Sequence, residues 1–433
     1  MMKPCSLMPG LFPNTCRLFL AGWVAGMLAT SGAIAQQEEG PDAEAETAES
    51  TAVSVGEQSE AQRQELIAWL RKEYAKPSQE WPKPELDEGR PLQEIGPVEW
   101  APTGTKEQRR LGLSLFFEPR LSKSMSVSCA SCHEPQLGWS NGVAFSFGEH
   151  REQITRHPPT LVAVGFHKTL FWDGRSDSLE HQARDVIVHP VEMNGDPVEV
   201  VERLEAESQY YGPLFKNAFG DAAITFDRIL EAIAIFERNI QAGRTKFDKF
   251  AKGEPAILSD SEIAGLHVFR TKARCMNCHM GPMFTDGEFH NLGLTYYGRR
   301  LQDLGRYKLT GQVEDVGKFR TPTLRNVGRT APYMHNGVFP ILEGVLRLYN
   351  AGMPRPKPKG DQVDDPLFPK TSEHLKPLNL TAQELADLRD FLLTLNEPPV
   401  RVLTPPVPPI RREKPEAIPE KLKGDAATSV LSR

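Results

Sequence analysis

The 433-residue sequence predicts a mainly α-helical protein with two similar domains, and three observations support this fold class. Stretches with apolar residues at three- and four-residue steps recur along the chain, which is the pattern of amphipathic helices. Segments that alternate polar and apolar residues, as half-buried strands do, are scarce. The five-residue unit C-x-x-C-H occurs twice, in segments of roughly similar layout, which suggests a duplicated domain.

The N-terminus predicts export. Lys3 and Arg17 precede an apolar run at residues 18–35 that ends in small residues, as in a signal peptide with an A-x-A type cleavage site. We therefore predict a signal peptide at 1–35 and a periplasmic protein; an uncleaved anchor is the alternative. Residues 36–60 contain eight acidic residues and no basic one, which indicates an acidic disordered linker.

Helices are predicted in the rest of the chain from periodicity and end signals. Residues 61–105 should form an N-terminal helix followed by a proline-rich extended segment. Thr381 with Glu384 forms a capping box at the start of the last helix. Residues 401–433 are rich in proline and should form an extended, partly mobile tail. The predicted helices are 61–75, 106–117, 197–207, 226–241, 259–272 and 381–395.

The cysteines carry the strongest chemical signal. Two of the six lie in the predicted signal peptide, and the other four are Cys129, Cys132, Cys275 and Cys278. One C-x-x-C alone could be a redox or zinc site. A His directly after the second Cys, twice, in an exported chain predicts two covalently bound haem c groups, with His133 and His279 as iron ligands.

Charge and hydropathy exclude other classes. The net charge of −6 and the lack of a basic stripe argue against nucleic-acid binding. No run beyond the signal peptide is long enough to cross a membrane, so no stable membrane span is expected after cleavage.

From Leu111 onward the sequence resembles the bacterial dihaem cytochrome c peroxidase and MauG family. The resemblance implies two c-type cytochrome domains, at 106–255 and 256–400, packed across a shared interface that both haems face. It rests on the two haem units and on LGLSLFFEPRLS (111–122), LFWDGR (170–175), HPVEM (189–193), FRTPTLRN (319–326) and APYMHNG (331–337).

The resemblance also assigns roles around the first haem. The haem on His133 would react with hydrogen peroxide, Glu192 matches the acid/base carboxylate of the distal pocket, and Gln182 matches a distal amide. Trp172 matches the tryptophan between the two haems. From the residues alone, the favoured interpretation of Glu192 is a surface carboxylate in a loop. Trp172 would then be a core side chain packed beside a turn, which is compatible with a bridging role.

At the second haem, on His279, one position separates two branches of the family. The resemblance places the sixth iron ligand fourteen residues after His335, where the peroxidases have Met and MauG has Tyr; this chain has Tyr349. A phenolate ligand stabilises higher oxidation states of the iron, whereas a thioether ligand favours the reduced iron. Tyr349 therefore indicates MauG-like chemistry. A helix shifted by one turn would bring Met353 to the iron instead.

Two further features are left open. The peroxidases have a histidine that caps the resting first iron; His150 lies in register for it, or this iron is open as in MauG. The family also binds a calcium ion between the domains. His157 stands where an Asn ligand is expected, which argues against the ion, whereas Thr330 and Pro332 match its backbone ligands.

Together these features predict an oxidoreductase that reduces hydrogen peroxide at the first haem. The electrons would come through the second haem from a small periplasmic cytochrome c or copper protein, or from an oxidisable protein partner. The alternative is a dihaem electron-transfer cytochrome without peroxidase activity.

Overall fold

The computed structural model describes residues 59–399 and 401–410. This part of the chain is mostly helical, with one two-stranded sheet. The predicted signal peptide and most of the acidic linker lie outside the described residues, as does the tail beyond residue 410. The helices are α1 (Glu60–Tyr74), α2 (Lys106–Phe116), α3 (Leu179–Val188), α4 (Pro197–Glu205), α5 (Ser208–Phe219), α6 (Phe226–Arg238), α7 (Lys246–Ala251), α8 (Asp260–Arg270), α9 (Tyr307–Thr310), α10 (Leu342–Asn350) and α11 (Ala382–Leu393).

All six helices predicted from periodicity are confirmed, and their starts follow from their caps. Ser59, Thr105, Ser259 and Thr381 each accept a hydrogen bond from the third helical residue, whose side chain accepts one in return from the cap backbone. One end was predicted too late. Helix α6 stops three residues before residue 241, because the Asn239 side chain donates to the Ile235 carbonyl and closes the last turn.

The other five helices of the described residues, α3, α5, α7, α9 and α10, were not predicted from periodicity. Helix α5 contains Pro213, which lacks the N–H of a helical hydrogen bond and usually breaks a helix. Tyr211 and Phe215 on this helix are nevertheless completely buried. Their burial outweighs the cost of the proline, so tertiary packing overrides local preference here.

Each C-x-x-C-H motif is preceded by a helix that packs closely across a later helix. A Cβ atom on Gly112 of α2 would collide with the Ala232 carbonyl of α6, and one on Gly265 of α8 would collide with the Asp387 carbonyl of α11. Glycine is thus required at both crossings, because the backbones approach each other without room for a side chain. This repeated arrangement confirms the predicted fold of two cytochrome-type units; their exact boundaries stay predictions.

Two smaller features complete the described fold. Strand β1 (Phe289–His290) pairs antiparallel with β2 (Phe319–Arg320), so that Phe289 lies opposite Arg320. The described part of the tail is extended, and Arg120 of the first unit donates to the carbonyls of Pro408 and Pro409 at 3.0 and 3.1 Å.

Candidate haem sites

The two C-x-x-C-H units adopt the same tight turn. The His133 N–H donates to the Cys129 carbonyl at 3.0 Å, and the His279 N–H donates to the Cys275 carbonyl at 2.8 Å. None of the four cysteines forms a disulfide. Each turn therefore presents two free thiols and one imidazole together, the donor set that attaches a haem c and binds its iron.

Hydrogen bonds orient both imidazoles in the same way. His133 Nδ1 lies 3.0 Å from the Trp139 carbonyl, and His279 Nδ1 lies 2.9 Å from the Phe284 carbonyl. A carbonyl only accepts, so Nδ1 carries the proton and Nε2 keeps its lone pair for a metal. Burial lowers the pKa of His133 to about 4 and also lowers that of His279, so both rings stay neutral. The residues thus fit iron ligation at both sites.

A cavity of about 510 Å³ lies beside the first turn, and we call it the first cavity. This volume lies within the usual range for bound cofactors, about 300–1,000 Å³. The first cavity brings together the haem-binding turn and the three residues that the resemblance assigns to the distal pocket and the bridge between the haems. Its lining includes Cys129, Cys132, His133, Trp172, Gln182 and Glu192.

Glu192 enters the first cavity from the loop after α3. Its side chain is 19% exposed, and His189 Nδ1 lies 3.8 Å from its Oε1. Burial raises the pKa of Glu192 to about 7, although nearby Arg175 acts in the opposite direction. A carboxyl that titrates near neutral pH exchanges protons in both directions, as acid/base catalysis requires.

His150 lies away from the first cavity. It occupies a short turn with a left-handed backbone (φ of 50°), its side chain is exposed, and it is absent from the cavity lining. In this conformation the His150 side chain does not enter the first cavity.

A second cavity lies beside the second turn and is lined mainly by apolar side chains. Cys275, Cys278, His279 and Tyr349 all line it. Met353 is buried and does not, because α10 ends at Asn350 and the backbone turns away. Of the two alternative ligands, the structure therefore brings only Tyr349 to the second cavity.

The two cavities share a wall. Trp172 belongs to it, and its indole N–H donates to the His157 carbonyl at 2.8 Å. The Trp172 ring lies 6.4 Å from the ring of His335, which itself stacks on Phe319 at 3.7 Å. The residues that line both cavities are His157, Pro159, Thr160, His167, Trp172 and Arg320.

The position expected for a calcium ligand is filled by a satisfied histidine. His157 is buried; its Nδ1 lies 3.0 Å from the Val143 carbonyl and its Nε2 lies 3.1 Å from the Ser140 hydroxyl. Both ring nitrogens are thus engaged, and the ring offers no oxygen to a hard cation. The donor set at this position does not fit calcium.

Sequence reasoning overlooked two charged residues of these cavities. Glu237 lines the first cavity, and its Oε2 is buried without a partner in the described part of the chain. Arg320 lies in the shared wall, whereas Arg325 is paired with Asp248 at 3.0 Å. Only the structure distinguishes these two arginines, since both occur in the motif 319–326.

Two matching sites that face a common wall define a protein of the dihaem c-type class. Residues 106–256 match the family model of the di-haem cytochrome c peroxidases. The methylamine utilization protein MauG of Methylorubrum extorquens is 38% identical over 307 residues, which span 70% of this chain and 82% of that protein. Cytochrome-c peroxidase IdrP1 of Pseudomonas sp. is 35% identical over 323 residues, which span 67% and 82%. The chain belongs to the dihaem cytochrome c peroxidase family, and the prediction of a dihaem oxidoreductase of the peroxidase type is confirmed.

Solved structures agree with this assignment. A MauG-like protein associated with microbial copper homeostasis superposes with a TM-score of 0.60 at 29% identity, covering 72% of this chain and 95% of that one. The dihaem peroxidase BthA of Burkholderia thailandensis, with a TM-score of 0.59 at 23% identity, covers 74% and 94% and supports the fold alone. Within the described residues, no helix is long and apolar enough to span a membrane.

Proposed function

We propose that this protein is a periplasmic enzyme that reduces hydrogen peroxide at the haem on His133, with electrons supplied through the haem on His279. The observation that carries the proposal is the first cavity, in which Glu192 and Gln182 line the same space as the haem-binding turn. The shared wall with Trp172 supports communication with the second site.

The haem, when bound, supplies an iron that can bind peroxide and accept or donate single electrons. Glu192 takes a proton from one peroxide oxygen and returns it to the other, which the cleavage of the O–O bond requires. Its pKa of about 7 suits this shuttle, because neither protonation state is strongly favoured at neutral pH. Gln182 offers an amide that orients the peroxide in the same cavity.

An open position on the first iron is favoured over a cap by His150. This side chain is exposed and lies outside the first cavity, so peroxide would not have to displace it. Trp172 provides a side chain that is oxidised more readily than an aliphatic one, at the wall where both cavities meet.

Tyr349 as the second iron's other ligand supports MauG-like chemistry. Burial raises the pKa of this phenol, which would therefore lose its proton only to a metal. An oxygen ligand stabilises the oxidised protein, which suits the oxidation of a demanding substrate. We therefore favour an oxidisable side chain on a partner protein as the electron source, with a small cytochrome c or copper protein as the other candidate.

The proposal includes export by the N-terminal 35 residues and no requirement for calcium. The engaged ring of His157 supports the second point, because it lies where the resemblance predicts an oxygen ligand and is hydrogen-bonded to the Val143 carbonyl.

The test is an optical and EPR titration of the purified ferric protein with hydrogen peroxide. We expect a high-spin haem whose signal disappears within seconds, followed by a long-lived oxidised state. The Tyr349→Met protein should react with peroxide without holding that state. Two low-spin haems that do not respond to peroxide, even after partial reduction, would refute the enzyme and leave an electron-transfer cytochrome.

A further inference from the structure

Within the described residues, Arg320 is a buried cation without a carboxylate partner. It is 7% exposed, on strand β2. Its Nε donates to the Phe171 carbonyl and its NH1 donates to His167 Nδ1, both at 3.3 Å. Both acceptors are neutral, since burial and the charge of Arg320 lower the pKa of His167 to about 3. Burial lowers the pKa of Arg320 itself to about 10, and no carboxylate opposes this effect.

The other buried arginines of the described residues are all paired. Arg325 binds Asp248, Arg270 binds Glu94 and Arg120 binds Glu118. The chain thus follows the general rule that a buried charge needs an opposite one, with Arg320 as the exception. An exception of this kind indicates an anion that the described part of the chain does not supply.

The position of Arg320 identifies the chemical class of this anion. Arg320 lines both cavities, and each cavity is built around a haem-binding turn. A haem carries two propionate groups, which are carboxylates, and a guanidinium pairs with a carboxylate through two parallel hydrogen bonds. His167 lies in the same wall; because its Nδ1 accepts from Arg320, its proton is on Nε2, where it is available as a second donor.

We propose that Arg320 binds a haem propionate at the wall shared by the two cavities and so acts as a positioning residue that raises the reduction potential of that haem. The physical reason is that a fixed cation stabilises the reduced iron, which carries one positive charge fewer. The same residue also fixes the bridging tryptophan, since the Arg320 N–H donates to the Trp172 carbonyl at 2.7 Å. The proposal depends on haem attachment alone and does not require reaction with peroxide.

Redox titration of the holoprotein, followed by optical and EPR spectroscopy, tests this inference because it measures each haem separately. Arg320→Met keeps an unbranched chain and removes the charge, whereas Arg320→Lys keeps the charge. We expect a lower midpoint potential for at least one haem in Arg320→Met and a value nearer to the wild type in Arg320→Lys. Arg71→Met is the control, since Arg71 lies on α1, pairs with Asp260 and lines neither cavity.

Unchanged potentials of both haems in a fully loaded Arg320→Met protein would overturn the proposal. If that variant does not assemble, the resonance Raman bending band of the propionates is compared between wild type and Arg320→Lys. Lysine cannot form two parallel bonds, so this band should shift. An unchanged band would equally overturn the proposal.

Discussion

Glu192→Gln should stabilise the protein while it removes most of the activity. The carboxyl of Glu192 has a pKa of about 7 instead of an ordinary 4.5, chiefly because it is buried. At about 1.4 kcal/mol per pH unit, this difference amounts to about 3 kcal/mol. The folded protein binds this proton more tightly than the unfolded chain does. Protonation of Glu192 therefore stabilises the folded protein fully below pH 4.5, and this stabilisation is lost as the pH rises through 7.

Glutamine has nearly the same shape and never ionises, so the substitution removes this pH-dependent loss. At pH 8 the variant should exceed the wild type by up to about 3 kcal/mol in free energy of unfolding, and at pH 4 the two should agree. Turnover with peroxide should fall by about 10²–10⁴-fold, the usual contribution of an acid/base group.

Urea denaturation followed by circular dichroism at pH 4, 6 and 8 measures the stability, and steady-state peroxide reduction measures the activity. Glu231→Gln is the matched control, because Glu231 is an exposed carboxylate on α6. It should change neither quantity. Equal stability of Glu192→Gln and wild type at pH 8 would refute the reasoning that burial of the charge raises the pKa.

Three further predictions concern other parts of the structure. His157→Asn should acquire calcium binding that the wild type lacks, because an amide oxygen replaces an engaged ring; isothermal titration with calcium measures this, and binding by the wild type would contradict it. Arg175→Gln should move the acidic limb of the kcat/KM profile for peroxide to higher pH, since Arg175 lowers the pKa of Glu192; a shift to lower pH would exclude this pairing. Removal of residues 401–433 should lower the free energy of unfolding by about 1–3 kcal/mol in urea denaturation, because Arg120 loses two backbone acceptors; no change would show that the tail does not contribute.

The fold could be predicted to the extent that its signals are local. Helices with a capping box and an apolar stripe were found from sequence, because both features lie within a few residues of each other. Helix α5 was missed because Pro213 is a local signal against a helix, and only the distant contacts of Tyr211 and Phe215 offset it. The two helix crossings that require a glycine depend on which helices pack together. The apolar periodicity of a helix does not specify its partner.

The candidate site shows the same limit. The haem units follow from spacing alone, since two thiols and a histidine are adjacent in the chain. Glu192 and Tyr349 were selected only through the resemblance, because a carboxylate in a loop and a tyrosine on a helix have no local mark of function. Arg320 could not be distinguished from Arg325, because the difference is the presence of Asp248 beside one of them. A missing partner is visible only in three dimensions.

The hydrogen bonds of the shared wall explain how the two sites can be coupled through the chain's own residues. Trp172 is held at two points: its indole N–H binds the His157 carbonyl, and its own carbonyl accepts the Arg320 N–H. His157 in turn donates its N–H to the His335 carbonyl at 2.8 Å, and His335 lines the second cavity. Each of these three links has a backbone carbonyl as its acceptor. Because His157 also binds two neighbours through its ring, this wall is further cross-linked at that residue. A substitution at His157 should therefore have a larger effect on electron transfer between the haems than on the properties of either haem alone.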